Sequence, residues 1–181
     1  MLQPRAFWFL RHGETDWNAR GLSQGNVDIP LNPAGVAQAG TAAGLLRTRG
    51  IRSIVSSPLS RAHDTARTAG EAIGRPVVLD EGLREVSFGV QEGQPMAQWF
   101  DDWVAGVFTP EGAETFAALR ARAVSAINRA LAHEAPVLVV AHGALFRALR
   151  AEMGLPANVR TPNAVPLFCE PGSPWTLMPA A

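Results

Sequence analysis

The chain has 181 residues, sixteen basic and sixteen acidic side chains, a formal net charge of +0 and 47% hydrophobic residues. That is enough apolar material for one globular domain over residues 1–181, and it leaves no overall field to recruit nucleic acid or an anionic membrane. Every basic residue is Arg, which excludes mechanisms needing a lysine amine, and a single cysteine, Cys169, excludes an internal disulfide or a multi-cysteine metal site.

In chain order, the apolar run at residues 6–10 has strand length and stops at Arg11 and His12. It is too short for a signal peptide or a membrane span, so a cytoplasmic protein is expected. Residues 33–49 read as a helix, with Asn32 as N-cap, Pro33 in its first turn and Gly50 past its end. Residues 51–56 form the next strand candidate. A helix opened by Ser57-Pro58 then runs to Ile73, with Ala62, Ala66 and Ala69 on its inner face and Gly74 as its stop. Residues 77–79 make a short strand and residues 85–95 a polar, glycine-rich loop. Residues 96–108 are aromatic and helical in part, within a lid-like segment over residues 94–113.

Residues 115–133 carry the clearest helical stripe, Phe116, Leu119, Ala123, Ile127 and Leu131. A wholly apolar strand at 136–141, a helix at 144–153 and late strands at 164–169 and 175–178 complete the reading, with Cys169 as a buried thiol in the first of these two. Strands apolar on both faces, alternating with helices, predict an α/β fold: a three-layer αβα sandwich around a mainly parallel sheet.

Two strand candidates end alike, one in Arg11-His12-Gly13 and the other in Ala141-His142-Gly143. In a parallel sheet the C-terminal strand ends share one edge, where ligands bind, so the two histidines can face one crevice. The 51–56 strand leads to Arg61, in the first turn of its helix, and the 77–79 strand leads to Glu85. Two guanidiniums beside two imidazoles point to a tetrahedral dianion, because Arg grips phosphate through a planar fork. Without a lysine, a Cys-x5-Arg loop or an Asp-x-Asp metal motif, the nucleophile left is an imidazole. His12 is assigned attack on phosphorus, with Arg11, Arg61 and His142 holding oxygens and Glu85 as proton donor to the leaving group. No metal enters this scheme.

The segment Arg11-His12-Gly13-Glu14-Thr15-x-Trp17-Asn18 resembles the signature of the histidine phosphatase superfamily, phosphoglycerate-mutase-like branch. The likeness continues through Gln24-Gly25-x-x-Asp28-x-Pro30-Leu31, Ser56-Ser57-Pro58-Leu59-x-Arg61-Ala62, residues 85–93, Glu114 and Ala141-His142-Gly143. It implies the phosphoglycerate-mutase-like fold, His12 as the phosphorylated residue, Glu85 as acid, and Asn18, Gln24, Gly25 and Gly143 around the phosphate. Ala141 departs from a common Ser or Thr, and Asp64 from a frequent Gln. Mutases of the superfamily carry a longer insertion, rich in basic residues and Tyr, between the acid and the second histidine. Here that stretch is short, lacks Tyr and Lys, and has its arginines on the 115–133 helix. The resemblance therefore implies a cofactor-free phosphatase acting on a small phosphorylated metabolite, with a homodimer possible.

Other readings compete. A phosphoglycerate-mutase-type phosphotransferase and a non-catalytic phosphate-binding module fit the same rim. Gly21-Leu22-Ser23-Gln24-Gly25 matches a serine-hydrolase elbow, but lacks the strand before and helix after that an elbow needs. Glu85 also reads as a solvated loop carboxylate, or as a partner for Arg84. Glu92 is expected to order its loop, and His63 and His133 to lie off the site. The 98–103 segment has two readings, a core-packing helix with Trp99 and Trp103 one turn apart and a lid whose aromatic and acidic groups select the leaving group; in the second, Trp17 is expected to form part of the same pocket wall.

Overall fold

The two strands that precede the histidines form the centre of the fold. In the computed structural model, which describes residues 1–181, β1 (Phe7–Arg11) pairs in parallel with β4 (Val137–Ala141). Side chains alternate across a strand, and both faces here are apolar. Phe7, Phe9, Val137, Val139 and Ala141 enter one core cluster, while Trp8, Leu10, Leu138 and Val140 enter another. The sheet is therefore buried from both sides.

Outside β4 lie β2 (Ser53–Ser56) and then β3 (Val77–Leu79), both parallel to it. On the other side of β1 comes β5 (Leu167–Glu170), then β6 (Thr176–Pro179), giving the order β3-β2-β4-β1-β5-β6. The last two pairings are antiparallel, so the mainly parallel sheet is completed by an antiparallel edge and is mixed overall. Apolar run length does not encode strand direction.

The helices α2 (Pro33–Leu46) and α3 (Ser60–Ile73) cover one face. The opposite face is covered by α5 (Phe116–Ala130) and α6 (Gly143–Glu152). Local chemistry fixes their ends: Asn32 accepts from the Gly35 N–H, Thr115 accepts from the Ala118 N–H, and Gly74 closes α3 at φ 74°. The one-turn helix α1 (Asp16–Ala19) is opened by a Thr15–Asn18 capping box. Its four residues are too few for periodicity to reveal.

The short helix α4 (Gln98–Val104) is held by aromatic contacts. Trp103 is fully buried, its indole N–H donates to the Glu114 carbonyl at 2.9 Å, and Phe88 meets the rings of Trp99, Phe100 and Trp103 edge-on. Glu114 is clamped in turn by Arg122, whose Nη1 also donates to the Gly82 and Arg84 carbonyls. Cys169 is buried in β5, and burial pushes its thiol up. No helix is long and apolar enough to cross a membrane.

Candidate active site

Arg11 is the register partner of Ala141, and the His12 N–H donates to the Ala141 carbonyl. His12 and His142 thus leave adjacent parallel strands at the same level, and their ring centroids are 5.3 Å apart, close enough to contact one phosphoryl group. The turn after β1 also fixes a residue type. A Cβ at Gly13 would collide with the Gly35 carbonyl of α2, so only glycine lets α2 approach the loop.

His12 is buried, and its Nδ1 lies 2.7 Å from the Gly13 carbonyl. A carbonyl only accepts, so Nδ1 carries the ring proton and Nε2 presents its lone pair. Burial, then Arg61 and Arg11, hold this imidazole well below its ordinary value, hence neutral at pH 7. His142 is completely buried, with Nε2 2.7 Å from the Ser57 hydroxyl. That hydroxyl already accepts the Leu59 N–H, so its own proton is free to go to Nε2. His142 Nδ1–H is then a donor, and it has no partner. Burial, Arg61 and His12 keep this ring neutral as well.

The two arginines are buried cations aimed inward. Arg61 donates Nη1 to the Val27 carbonyl and Nη2 to the Gly25 carbonyl, and Arg11 donates Nη1 to the Thr161 carbonyl. Their Nε–H groups have no partner. Burial lowers both to about 10, with Glu85 opposing, so both are charged at neutral pH. Asp28 caps the start of α3 by accepting from the Ser60 N–H, which ties the loop that carries these carbonyls to the helix that carries Arg61.

Glu85 is buried at the N-terminus of α6 and is unconnected to Arg84, which pairs with Glu81 instead. Its Oε1 accepts from the Leu145 and Val86 N–H groups and its Oε2 from the Ala144 N–H. The second lone pair of Oε2 has no donor on it. The carboxylate thus joins the 81–93 loop to the same helix end that begins at His142.

These groups line a cavity of about 460 Å³, shared by Arg11, His12, Asn18, Gln24, Gly25, Arg61, Glu85 and Gly143, with His142 buried just behind. Every residue assigned to the site from sequence is therefore brought to one place. Asn18 is oriented by Asn163, and Gln24 accepts the Thr15 hydroxyl. Glu92 bonds the Asn26 and Phe88 N–H groups and so ties two loops together. His63 and His133 stand apart from the cavity. Trp17 does too: its ring lies over Gly93, outside the lining, so the expectation that it walls the pocket is corrected. Of the 98–103 segment, Phe100 and Asp101 reach the lining and Trp99 and Trp103 do not. Ser23 lines the cavity, but it sits in a loop paired to residues 93–96 rather than between strand and helix, and neither histidine bonds it.

Sequence reasoning missed Ser57, Arg147, Asn158 and Arg160. Ser57 stands out in the sequence only as part of a motif. Arg147 falls one helical turn after Gly143, a spacing that could have been read, whereas Asn158 and Arg160 come from an irregular loop with no periodicity.

The model of the histidine phosphatase superfamily (branch 1) matches residues 7–163. GpmB of Yersinia pestis (strain Pestoides F), a probable phosphoglycerate mutase, is 38% identical over 166 residues, covering 83% of this chain and 76% of its own. Among solved structures, a mycobacterial glucosyl-3-phosphoglycerate phosphatase complexed with VO3 is 34% identical. It superposes with a TM-score of 0.84 over 97% of this chain and 98% of its own. TTHB049 from Thermus thermophilus is 27% identical, with a TM-score of 0.78 over 98% and 99% of the two chains. The chain belongs to the histidine phosphatase superfamily, branch 1.

Proposed function

We propose that this protein is a metal-independent phosphatase that hydrolyses a small phosphomonoester through a phosphohistidine at His12. The observation that carries the reading is the tautomer of His12, whose proton is fixed on Nδ1 by Gly13 and whose Nε2 is free within 5.3 Å, ring to ring, of His142. The phosphomonoester, entering as its monoanion, passes its proton to the free lone pair of Glu85 Oε2; Nε2 then attacks phosphorus, the P–O bond to the alcohol breaks, and the departing oxygen takes that proton. Water gives a proton to Glu85 and attacks the phosphohistidine, and that proton leaves with inorganic phosphate, restoring the Glu85 carboxylate and neutral His12. The unpaired Nε–H groups of Arg11 and Arg61 and the Nδ1–H of His142 supply donors to the equatorial oxygens, so little reorganisation accompanies the charge shift. Asn18, Gln24, Gly25 and Gly143 border the phosphate.

A mutase is the second reading, because GpmB carries that name. Against it stand the arginines between Glu85 and His142. Arg120, Arg122 and Arg129 are engaged by Glu152, Glu114 and Asp80 and none lines the cavity, so the segment between Glu85 and His142 adds no cation to it. The phosphatase among the structural neighbours, which this chain matches over nearly its full length, favours hydrolysis.

The deciding assay is phosphate release from a panel of phosphomonoesters, with and without a bisphosphate primer. Primer-independent release supports the phosphatase. Isomerisation that requires primer makes the protein a mutase, and activity that survives His12→Ala but not Ser23→Ala makes it a serine esterase.

A further inference from the structure

Four arginines line the cavity, and none of them pairs with a carboxylate. Arg84, Arg120, Arg122 and Arg129 each bond an acid elsewhere, whereas Arg11, Arg61, Arg147 and Arg160 form no ion pair. The mechanism uses the first two of these cavity arginines. Arg147 is half-buried on α6, four residues after Gly143, and Gly143 itself packs on the Arg11 guanidinium. Residues four apart on a helix share a face about 6 Å along the axis, so Arg147 stands roughly one turn from the phosphate clamp.

Its guanidinium is held in place. Nε donates to Asn158 Oδ1 at 3.2 Å, the Asn158 amide donates to Asp101 at 2.7 Å, and the guanidinium lies 4.8 Å from the centre of the Phe100 ring. Asn158 stands between Asp101 and Arg147, so the acid orients the arginine without neutralising its fork. Both Nη groups of Arg147 have no partner in the protein. Burial, the largest influence, lowers this guanidinium, which nonetheless stays charged.

Building on the phosphatase reading, we propose that Arg147, with Arg160 beside it, is a specificity-determining residue that binds a carboxylate on the substrate about one helical turn from the phosphate. Two guanidiniums and one Asp at the cavity mouth leave a single positive charge, which matches a monoanionic carboxylate better than a second phosphate dianion. Leu22, Phe88, Met96 and Phe100 supply apolar surface for the rest of the molecule.

The test compares two esters that differ only in this group, 3-phosphoglycerate and glycerol 3-phosphate, with p-nitrophenyl phosphate as reference. Wild type should favour 3-phosphoglycerate by about 10–100-fold in kcat/KM, the value of a charge-assisted bidentate contact. Arg147→Met should bring that ratio close to one, and Arg147→Lys should restore part of it. A wild-type ratio near one, or a ratio unmoved in Arg147→Met, overturns the assignment. Turnover of p-nitrophenyl phosphate with neither glycerol ester accepted overturns it too, and leaves the phosphatase reading intact. Failure on all three esters contradicts the phosphatase reading instead. Calorimetric binding of the two glycerol esters to His12→Ala then decides the carboxylate site, equal affinities counting against it and a preference for 3-phosphoglycerate in its favour.

Discussion

Replacing Glu85 with Gln separates the chemical role of this residue from its structural one. The carboxylate accepts three backbone N–H groups, two on Oε1 and one on Oε2. The glutamine oxygen can keep the Leu145 and Val86 bonds, but its NH2 then faces the Ala144 N–H, donor against donor. One buried N–H left unpaired costs about 1–3 kcal/mol, and losing the anion at the N-terminus of α6 adds about 0.3–1 kcal/mol. Set against a typical stability of about 5–15 kcal/mol, this leaves the variant folded at 25 °C. Unfolding therefore cannot account for a large rate loss. Loss of a general acid costs about 10²–10⁴ in rate on an alkyl phosphate, and far less on p-nitrophenyl phosphate, whose phenolate leaves without a proton. The measurement is kcat/KM on both esters together with thermal unfolding. A proton-donor role predicts a loss at least tenfold greater on the alkyl ester; equal losses on the two would refute it and leave Glu85 as the anchor of α6.

Three further outcomes follow from the same geometry. Both histidines are held neutral in the folded state, well below 6.5, while the unfolded chain protonates them near 6.5. Stability should therefore be full above about pH 6.5 and fall as pH drops below it, by at most about 2.7 kcal/mol per pH unit for two groups. The slope of Tm against pH should be shallower in His12→Ala, and a flat wild-type profile from pH 7 to 5 would contradict the buried neutral rings. Arg61→Ala should lower kcat/KM by about 10²–10³, as for one oxyanion donor, with far-UV circular dichroism unchanged; a loss under tenfold would remove Arg61 from the clamp. Trp103→Ala, at a fully buried ring with a bonded indole N–H, should cost about 3–5 kcal/mol and lower Tm by on the order of 10 °C. A shift of one or two degrees would show that α4 is not anchored through this ring.

The features most legible in the sequence were those set by local chemistry. Runs such as residues 136–141 are apolar at every position because both faces of β4 are covered, and that pattern alone placed the strand in the middle of a sandwich. Asn32 announced its helix because an N-cap acts on a neighbour three residues away. What depends on distant pairing was hidden. The antiparallel direction of β5 and β6 follows from how the chain returns, and composition does not record it. Glu85 was recognisable as an acid near the site, but its three donors include the first turn of α6, some sixty positions along the chain. Trp17 was misplaced for a related reason: the signature loop turns its ring onto Gly93 and away from the cavity. Arg147 went unnoticed among the basic residues until the structure placed it one turn from a glycine that touches the clamp.

Trapping the enzyme during turnover tests the account most directly. Rapid quench under alkaline conditions, followed by peptide mass spectrometry, should find an acid-labile phosphoryl group on the peptide containing His12. It should be attached at Nε2, absent from His12→Ala and lost on brief acid treatment. Turnover with no phosphorylated histidine, or with the label on Ser23 or His142, would contradict the central claim.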